Sequence, residues 1–545
     1  MSKVNKVKIL GLTTIVFLCF SAIIPNRAPA YQQNVFELAH KKVYREAAGH
    51  SVAIAGNLMA FSAPGENKGR GVVYLCQTNA LGLWELNSSL SIAGGKTNDF
   101  FGFSPAFGNG FLAVGAPGDD EAGTNAGAVY LFQVVNGGWQ LLKKLTPDGG
   151  NDNANFGFSL AVSGDLLAIG APGDQDNGNG SGAVYLFSRH SGGSNNWGLL
   201  DKLHGDVPAF SSAEFAPDYF GAAVAIDGEH LVIGAPGTDG NHGVDAGAAY
   251  LFHHQKNADT WERSALIQAA DGGAWAFFGS SVAIDGNTVM VGNTTDNANT
   301  GGAAYVFYLN PDTNSWEQSQ KLTANNGRKN DRFGTAIALR GNYAVISAPG
   351  GDGQASSSGT IYCFERSATR TGNWSEGRLA QARDEENFAY FGQAVAIDNR
   401  GGLVVGAPGK DGGHGGIYQE NVAVTNFQFI ITTIDSNTFF DLTVNTGIDP
   451  ANPPAQTWFF FTWTNKKQGS GIYLLKSDFT AVMVDEVIDY ATTQYDFITK
   501  GATIASFRLA DLGLSSGDNL TYAYAYSHTD INQAIINSIV SIFVK

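Results

Sequence analysis

Two stretches of the chain, FGFSLAVSGDLLAIGAPG at residues 156–173 and FGAAVAIDGEHLVIGAPG at residues 220–237, align without a gap. The Phe-Gly pair that opens them stands at Phe101-Gly102, Phe156-Gly157, Phe220-Gly221, Phe278-Gly279, Phe333-Gly334 and Phe391-Gly392, with a degenerate first copy at Ala48-Gly49. Successive glycines of the pair lie 53, 55, 64, 58, 55 and 58 residues apart. A recurrence of this kind marks an architecture that grows by adding units.

Each copy continues through a polar loop into a third apolar run, such as Gly127 to Phe132 or Gly182 to Phe187, and a Trp then opens a fourth, at Trp84, Trp139, Trp197, Trp261, Trp316 and Trp374. Four short β-rich runs separated by Gly, Asn and Asp clusters make one antiparallel four-stranded sheet. Seven such sheets predict an all-β fold, a seven-bladed β-propeller over residues 31–420. Within a copy, Phe of the Phe-Gly pair supplies apolar surface between neighbouring sheets, while the adjacent Gly lets another backbone approach. Ala-Pro-Gly ends the second strand, since Pro cannot donate to a ladder and Gly accepts positive φ.

The seventh copy lacks its Trp, so its sheet misses a fourth strand. The run Phe36 to Val43 resembles the fourth-strand run Trp139 to Leu145 and precedes the first copy. The N-terminal strand is therefore expected to complete the last blade and close the ring, removing its open edges.

These repeats resemble the FG-GAP family, whose best-known members are the propellers of integrin alpha chains. The resemblance implies an extracellular adhesion or ligand-binding platform. It also implies Ca²⁺, held in integrin-like copies by a loop of the form Asp-x-Asp-x-Asp-Gly-x-x-Asp between first and second strands. Here that interval shrinks to Ser163-Gly164-Asp165, Asp227-Gly228-Glu229, Asp285-Gly286-Asn287 and Arg340-Gly341-Asn342. Such turns cannot supply the six to eight oxygens that Ca²⁺ takes, so Asp227 and Asp285 read as turn formers and no cofactor is expected at the family position.

Acidic side chains gather elsewhere. Loops between second and third strands hold Asp119, Asp120 and Glu121; Asp174 and Asp176; Asp239 and Asp245; Asp296; Asp352; and Asp411. Loops leading to the next blade add Asp99, Asp148, Asp152, Asp218, Asp271 and Asp331. In an up-and-down blade both sets emerge on one face of the disc, which is expected to be acidic and to form the ligand-binding face. Asp, Asn and Gly are also the ordinary turn and solubility residues of a secreted β protein. Asp174 and Asp176 are the best single candidates for a divalent cation.

The chain has 545 residues, 69 of them Gly, with 33 basic and 49 acidic side chains and a net charge of −16. No cluster of Lys and Arg is present to contact phosphates, which excludes nucleic acid as a partner. Residues 1–30 read as a secretory signal: Lys3, Lys6 and Lys8, an apolar run from Ile9 to Ile24, then Ala28-Pro29-Ala30. That leader carries four basic and no acidic residues, so the mature chain carries −20. No further apolar run is long enough to span a bilayer, so no transmembrane segment is expected in the mature chain.

Cys76 and Cys363 fall in third strands of non-adjacent blades, on opposite strand faces. They are expected to lie too far apart for a disulfide and to act as small buried apolar residues. Catalytic motifs are absent from the repeats: no His-Glu-x-x-His occurs, and the adjacent His253 and His254 alternate across a strand. His242 and His414 sit in loops of the acidic face, and the Gly513 to Gly517 match to a nucleophile elbow lies in turn chemistry rather than a strand-turn-helix. From about Asn421 the repeat stops. Phe427 to Thr432, Thr457 to Trp463, Leu520 to Tyr526 and Ile535 to Val544 are aromatic or β-branched runs that predict a β-sandwich-like domain over 421–545.

The functional expectation is a secreted or cell-surface binding protein that presents its acidic propeller face to an extracellular protein or glycan. A carbohydrate-active enzyme using rim carboxylates and a structural scaffold are the alternatives. An enzyme needs one unusual blade, and blade four, preceded by the insertion His204 to Pro217, is the place to look.

Overall fold

The computed structural model describes residues 34–36, 47–78, 84–206, 217–239, 243–255, 260–295, 301–353, 355–367, 373–382, 385–398 and 401–421, and strands between 426 and 543. The leader over 1–30, residues 37–43, Asp296, His242, most of the 204–217 insertion and Gly513 to Gly517 lie outside the described residues.

One compact unit spans Ala30–Ala423 and contains seven four-stranded antiparallel sheets. The first six are contiguous in sequence, from Val52–Leu90 in blade one to Ile337–Ala380 in blade six. Blade seven combines Ala394–Ile397, Gly402–Ala407 and Gly416–Asn421 with Asn34–Phe36, whose residues pair antiparallel with Ile417, Tyr418 and Gln419. First strands of all seven blades touch their neighbours in a closed ring, which makes them the inner wall of the disc.

The core lies between blades. Seven apolar clusters are present, one at each interface. Phe156 is typical: fully buried, it meets Tyr185 edge-on with ring centroids 5.1 Å apart and Phe187 at 6.3 Å. The same edge-on contact between the Phe of the repeat and the third-strand Tyr recurs at Phe101, Phe220, Phe278, Phe333 and Phe391. Burying each such ring stabilises by about 2 to 3 kcal/mol.

Backbone approach explains the glycines. A Cβ on Gly127 (φ +89°) would sit 2.2 Å from the Phe156 carbonyl oxygen, because the third strand of one blade touches the opening of the next there. The Gly of Ala-Pro-Gly corrects the expectation of positive φ. Gly118 and Gly173 are not left-handed, but a Cβ on either would lie 1.9 Å from the carbonyl of Asn98 or Asn153, three residues before the Phe of their own blade. Close packing of chain on chain is what demands glycine here.

Turns between first and second strands are two-residue hairpins, with Ser163 facing Leu166, Asp227 facing His230, Asp285 facing Thr288 and Arg340 facing Tyr343. Asp227 and Asp285 do more than form turns. Each carboxylate accepts the backbone N–H of the next blade's turn glycine, Gly286 or Gly341, at 2.7 Å.

Cys76 is buried in blade one, but Cys363 is only half-buried, at the edge of the cluster between blades six and seven. The full burial expected of it fails because it packs only against the margin of that cluster, whereas Leu131, at the equivalent position of blade two, is fully buried.

Beyond Val424 a second unit contains a three-stranded antiparallel sheet, with Asn437–Asn445 between Asn426–Ile434 and Ala502–Arg508. A five-stranded sheet follows, in which Asn519–Ser527 pairs with both Gln456–Asn465 and Ile535–Phe543.

Candidate functional site: the loop face of the propeller

Loops between second and third strands and loops between blades share one edge of the sheets, and they interlock. Thr124 N donates to Asp152 Oδ1 at 2.8 Å, and Asn125 donates through its amide to Asn153 at 3.0 Å. The candidate acids divide into two groups on this loop face.

Asp119, Asp174 and Asp245 are buried. Tyr130 donates its hydroxyl to Asp119 Oδ2 at 2.7 Å, and Lys144 Nζ donates to both Asp119 oxygens at 2.9 Å while lying over the Tyr130 ring. Blade three repeats the triad: Tyr185 donates to Asp174 at 2.8 Å and Lys202 Nζ lies 2.9 Å from the same oxygen. Burial pushes the Asp119 carboxyl up, but the bonds from Tyr130 and Lys144 outweigh it and hold the group below its ordinary range. Lys202 also reaches Asp176 at 2.6 Å, so the two carboxylates proposed for a divalent cation hold a lysine ammonium between them. Among the described residues, no three or more His, Cys, Asp or Glu side chains are grouped to hold a metal ion.

The triad is a device for seating the third-strand Tyr, and the ring uses two versions. In blades one to three the acid, Glu66, Asp119 or Asp174, follows the blade's own Ala-Pro-Gly. In blades five and six the acceptor, Asp271 or Asn326, comes from the loop that enters the blade, at 2.7 and 2.9 Å. Blade four has Thr238 after its Ala-Pro-Gly and Leu266 opposite Tyr250 where Lys144 and Lys202 stand elsewhere. Its acids Asp218, Asp239 and Asp245 face one another, and burial together with the two like charges raises Asp218 to about 6.

Asp120, Glu121, Asp176, Asp239, Asp352 and Asp411 are exposed. Several organise their own loops: Asp120 accepts Asn125 N, Asp239 accepts Asp245 N and Asp352 accepts Ser357 N. They are distributed among blades two, three, four, six and seven, and the structure does not gather them into one cleft.

The face also carries aromatic side chains that the acid pattern did not reveal. In the loops entering blades two to seven, residues one and three places before the Phe of Phe-Gly adopt φ between about +50° and +75°: Asn98 and Phe100, Asn153 and Asn155, Trp275 and Phe277, Asn330 and Arg332, Phe388 and Tyr390, and in blade four Tyr219 alone, since Pro217 holds the other place. Their N–H groups bond the preceding blade, as in Trp275 N to Val244 O at 2.7 Å and Phe388 N to Ser356 O at 2.8 Å. The left-handed backbone turns their side chains outward. Trp275 is 58% exposed and Phe388 57%, and Phe100, Tyr219 and Tyr390 are exposed as well. Phe388 and Tyr390 lie side by side, 6.4 Å between centroids.

Six segments, residues 84–132, 139–187, 214–252, 261–307, 316–364 and 374–418, match the FG-GAP repeat model and together make up about half of the chain. The chain belongs to the FG-GAP repeat family. Each matched FG-GAP segment runs from the fourth strand of one blade or the loop after it through the third strand of the next, and the degenerate copy at Ala48-Gly49 stands outside all six. Among curated proteins, integrin alpha-E of Mus musculus is 34% identical over 127 residues, which is 21% of this chain and 10% of that protein. The chain thus aligns with only about a tenth of that relative. Among solved structures, Sqt1 of Saccharomyces cerevisiae is 11% identical with a TM-score of 0.38, covering 74% of this chain and 94% of that one. Sqt1 of Chaetomium thermophilum is 12% identical with the same TM-score, covering 70% and 83%. Among the described residues of this FG-GAP protein, no helix is long and apolar enough to cross a membrane.

Proposed function

We propose that this FG-GAP protein is a secreted or cell-surface binding protein whose loop face recognises an extracellular protein or glycan. The observation that carries the reading is the placement of bulky aromatics at left-handed positions. A non-glycine residue there costs on the order of 1 kcal/mol, and Asn is the residue that tolerates it. Asn does fill four of these places, at 98, 153, 155 and 330. Phe100, Tyr219, Trp275, Phe388 and Tyr390 therefore oppose both backbone preference and solubility, a combination found where a surface is kept for contact. The neighbouring exposed carboxylates add polar groups to frame a ligand.

Trp275→Ala and Phe388→Ala in the mature protein test this on extracellular-protein and glycan arrays. Each is expected to weaken capture of a bound ligand about tenfold or more, the loss typical of an interface anchor, with the Tm of the variant unchanged. Capture that persists undiminished in both variants, or a wild-type protein that binds nothing, overturns the reading.

A further inference from the structure

The residue that follows each Phe-Gly pair stands at the head of its blade's first strand, where the inner wall of the disc meets the loop face. Around the ring these residues are His50, Phe103, Phe158, Ala222, Ser280, Thr335 and Gln393, and all seven are half-buried. They divide by chemistry. His50, Phe103 and Phe158, from blades one to three, pack ring on ring across two blade boundaries, with centroids 4.8 and 4.7 Å apart. Contact between successive blades at the inner wall places the three rings around the mouth of the central channel. Blades four to seven complete the circle with a methyl group, two hydroxyls and an amide.

The mouth is held in place from two sides. In every blade the N–H of this residue bonds the carbonyl three positions back, in the loop that enters the blade, as in His50 N to Ala47 O at 3.1 Å, Phe103 N to Phe100 O at 3.0 Å and Gln393 N to Tyr390 O at 3.0 Å. Ser104, Ser159 and Ser281, one residue further along their strands, donate their hydroxyls to the carbonyls of Gly157, Gly221 and Gly334 in the next blade, each at 2.7 Å. The lining is therefore fixed before any ligand arrives, which lowers the ordering cost of binding. Ser280 and Thr335 donate their hydroxyls to Phe277 O and Arg332 O, at 2.6 and 2.7 Å, and so present lone pairs as acceptors. Gln393 supplies an amide that can donate and accept. Burial holds His50 below its ordinary range, so the aromatic arc is uncharged near neutral pH.

We propose that the channel mouth binds one neutral hexose ring, the terminal residue of a glycan, with Phe103 and Phe158 against the ring's C–H face and Ser280, Thr335 and Gln393 on its hydroxyl edge. This rests on the loop-face reading above and names the ligand class for its centre. A pyranose is apolar on its face and polar around its rim, and the electronegative face of an aromatic ring packs against such C–H groups. A concave site with an apolar wall and a few fixed polar groups is the usual form of a small-ligand site. Ala222, with only a methyl group, leaves the arc open between its aromatic and polar halves. The exposed carboxylates of Asp120, Asp176, Asp239, Asp352 and Asp411 on the same face set up a negative field that repels uronic and sialic acids and selects a neutral sugar.

Saturation-transfer NMR of the mature full-length protein with the methyl glycosides of glucose, galactose, mannose and N-acetylglucosamine is expected to show transfer to the ring C–H protons of at least one of them, and none to glucuronate. Phe103→Leu, which keeps apolar bulk but removes the aromatic face, and Gln393→Ala are each expected to weaken that sugar about tenfold in calorimetric titration, with the Tm unchanged. Leu199→Ala, on the outer strand of blade three, is the control and is expected to bind as the wild type does. No transfer to any of the four neutral sugars, equal affinity in a folded Phe103→Leu protein, or glucuronate bound as tightly as the neutral sugars would each overturn the assignment. A protein ligand captured through Trp275 while no sugar binds would leave the loop-face reading standing and refute the sugar site alone.

Discussion

Asp218 illustrates how strongly a side chain's role depends on its neighbours in space. Asp119 in blade two and Asp174 in blade three each have a Tyr hydroxyl and a Lys ammonium, whereas Asp218, at the entry to blade four, is partly buried beside Asp239 and Asp245. Its folded pKa of about 6 lies above the ordinary value of 3.8, so the folded protein keeps the proton that the unfolded chain releases. Stability from this group is present below the unfolded value and is lost as pH rises toward about 6. Asp218→Asn is accordingly expected to raise the Tm at pH 7.5 and to leave it nearly unchanged at pH 4, as differential scanning calorimetry at the two pH values would reveal. An equal shift at both would rule the charge explanation out.

At this scale the sequence was only partly readable. The acids at 119 and 174 look like surface turn residues because their partners are the Tyr eleven positions on and a Lys still further along, joined only once three strands are laid side by side. The exposed aromatics at 275, 388 and 390, with the half-buried Phe277, adjoin the Phe-Gly pair, where the repeat pattern absorbs them as more of the same apolar run. Their spacing of two, with a small residue between, in Trp275-Ala276-Phe277 and Phe388-Ala389-Tyr390, was the available signal.

Strands and turns were far more legible. Alternating apolar runs and Gly-containing turns located the two-residue hairpins at Gly164, Gly228, Gly286 and Gly341, because a hairpin is a local structure governed by residues adjacent in sequence. What adjacency could not disclose is that these hairpins are bonded from blade to blade through Asp227 and Asp285. Contact between elements also sets the value of particular glycines. Gly127→Ala combines left-handed strain with a Cβ placed 2.2 Å from Phe156 O and is expected to cost about 3 kcal/mol or more. Gly110→Ala, at φ +77° with nothing within 4 Å, meets strain alone and is expected to cost about 1 to 2 kcal/mol. Urea denaturation midpoints of the two variants measure the difference, and equal losses would mean that close approach is not what selects glycine at 127.

For the molecule as a whole, repetition made the blade number readable, since seven copies in one frame leave seven sheets. Blade seven is where the continuity of chain and sheet breaks: Asn34–Phe36 supplies its outer strand. Removing residues 31–36 leaves Gly416–Asn421 as a bare edge, ready to pair with another chain. The truncated protein is expected to melt several degrees lower and to elute as dimers or larger species in size-exclusion chromatography. A monomer with unchanged Tm would show that the pairing contributes little.

That pairing also governs the order in which the protein can be made. Asn34–Phe36 leaves the ribosome early and must wait for a partner about 380 residues downstream, so the ring cannot be sealed until nearly the entire propeller has been synthesised. Lengthening a loop costs little in closure entropy, so the wait is a matter of timing rather than of equilibrium stability. During that interval both ends of the incomplete array remain open to proteases and to other nascent chains. A circular permutant starting at Val52 and carrying the 34–36 strand after Asn421 would build every blade from contiguous chain, and would dispense with the wait.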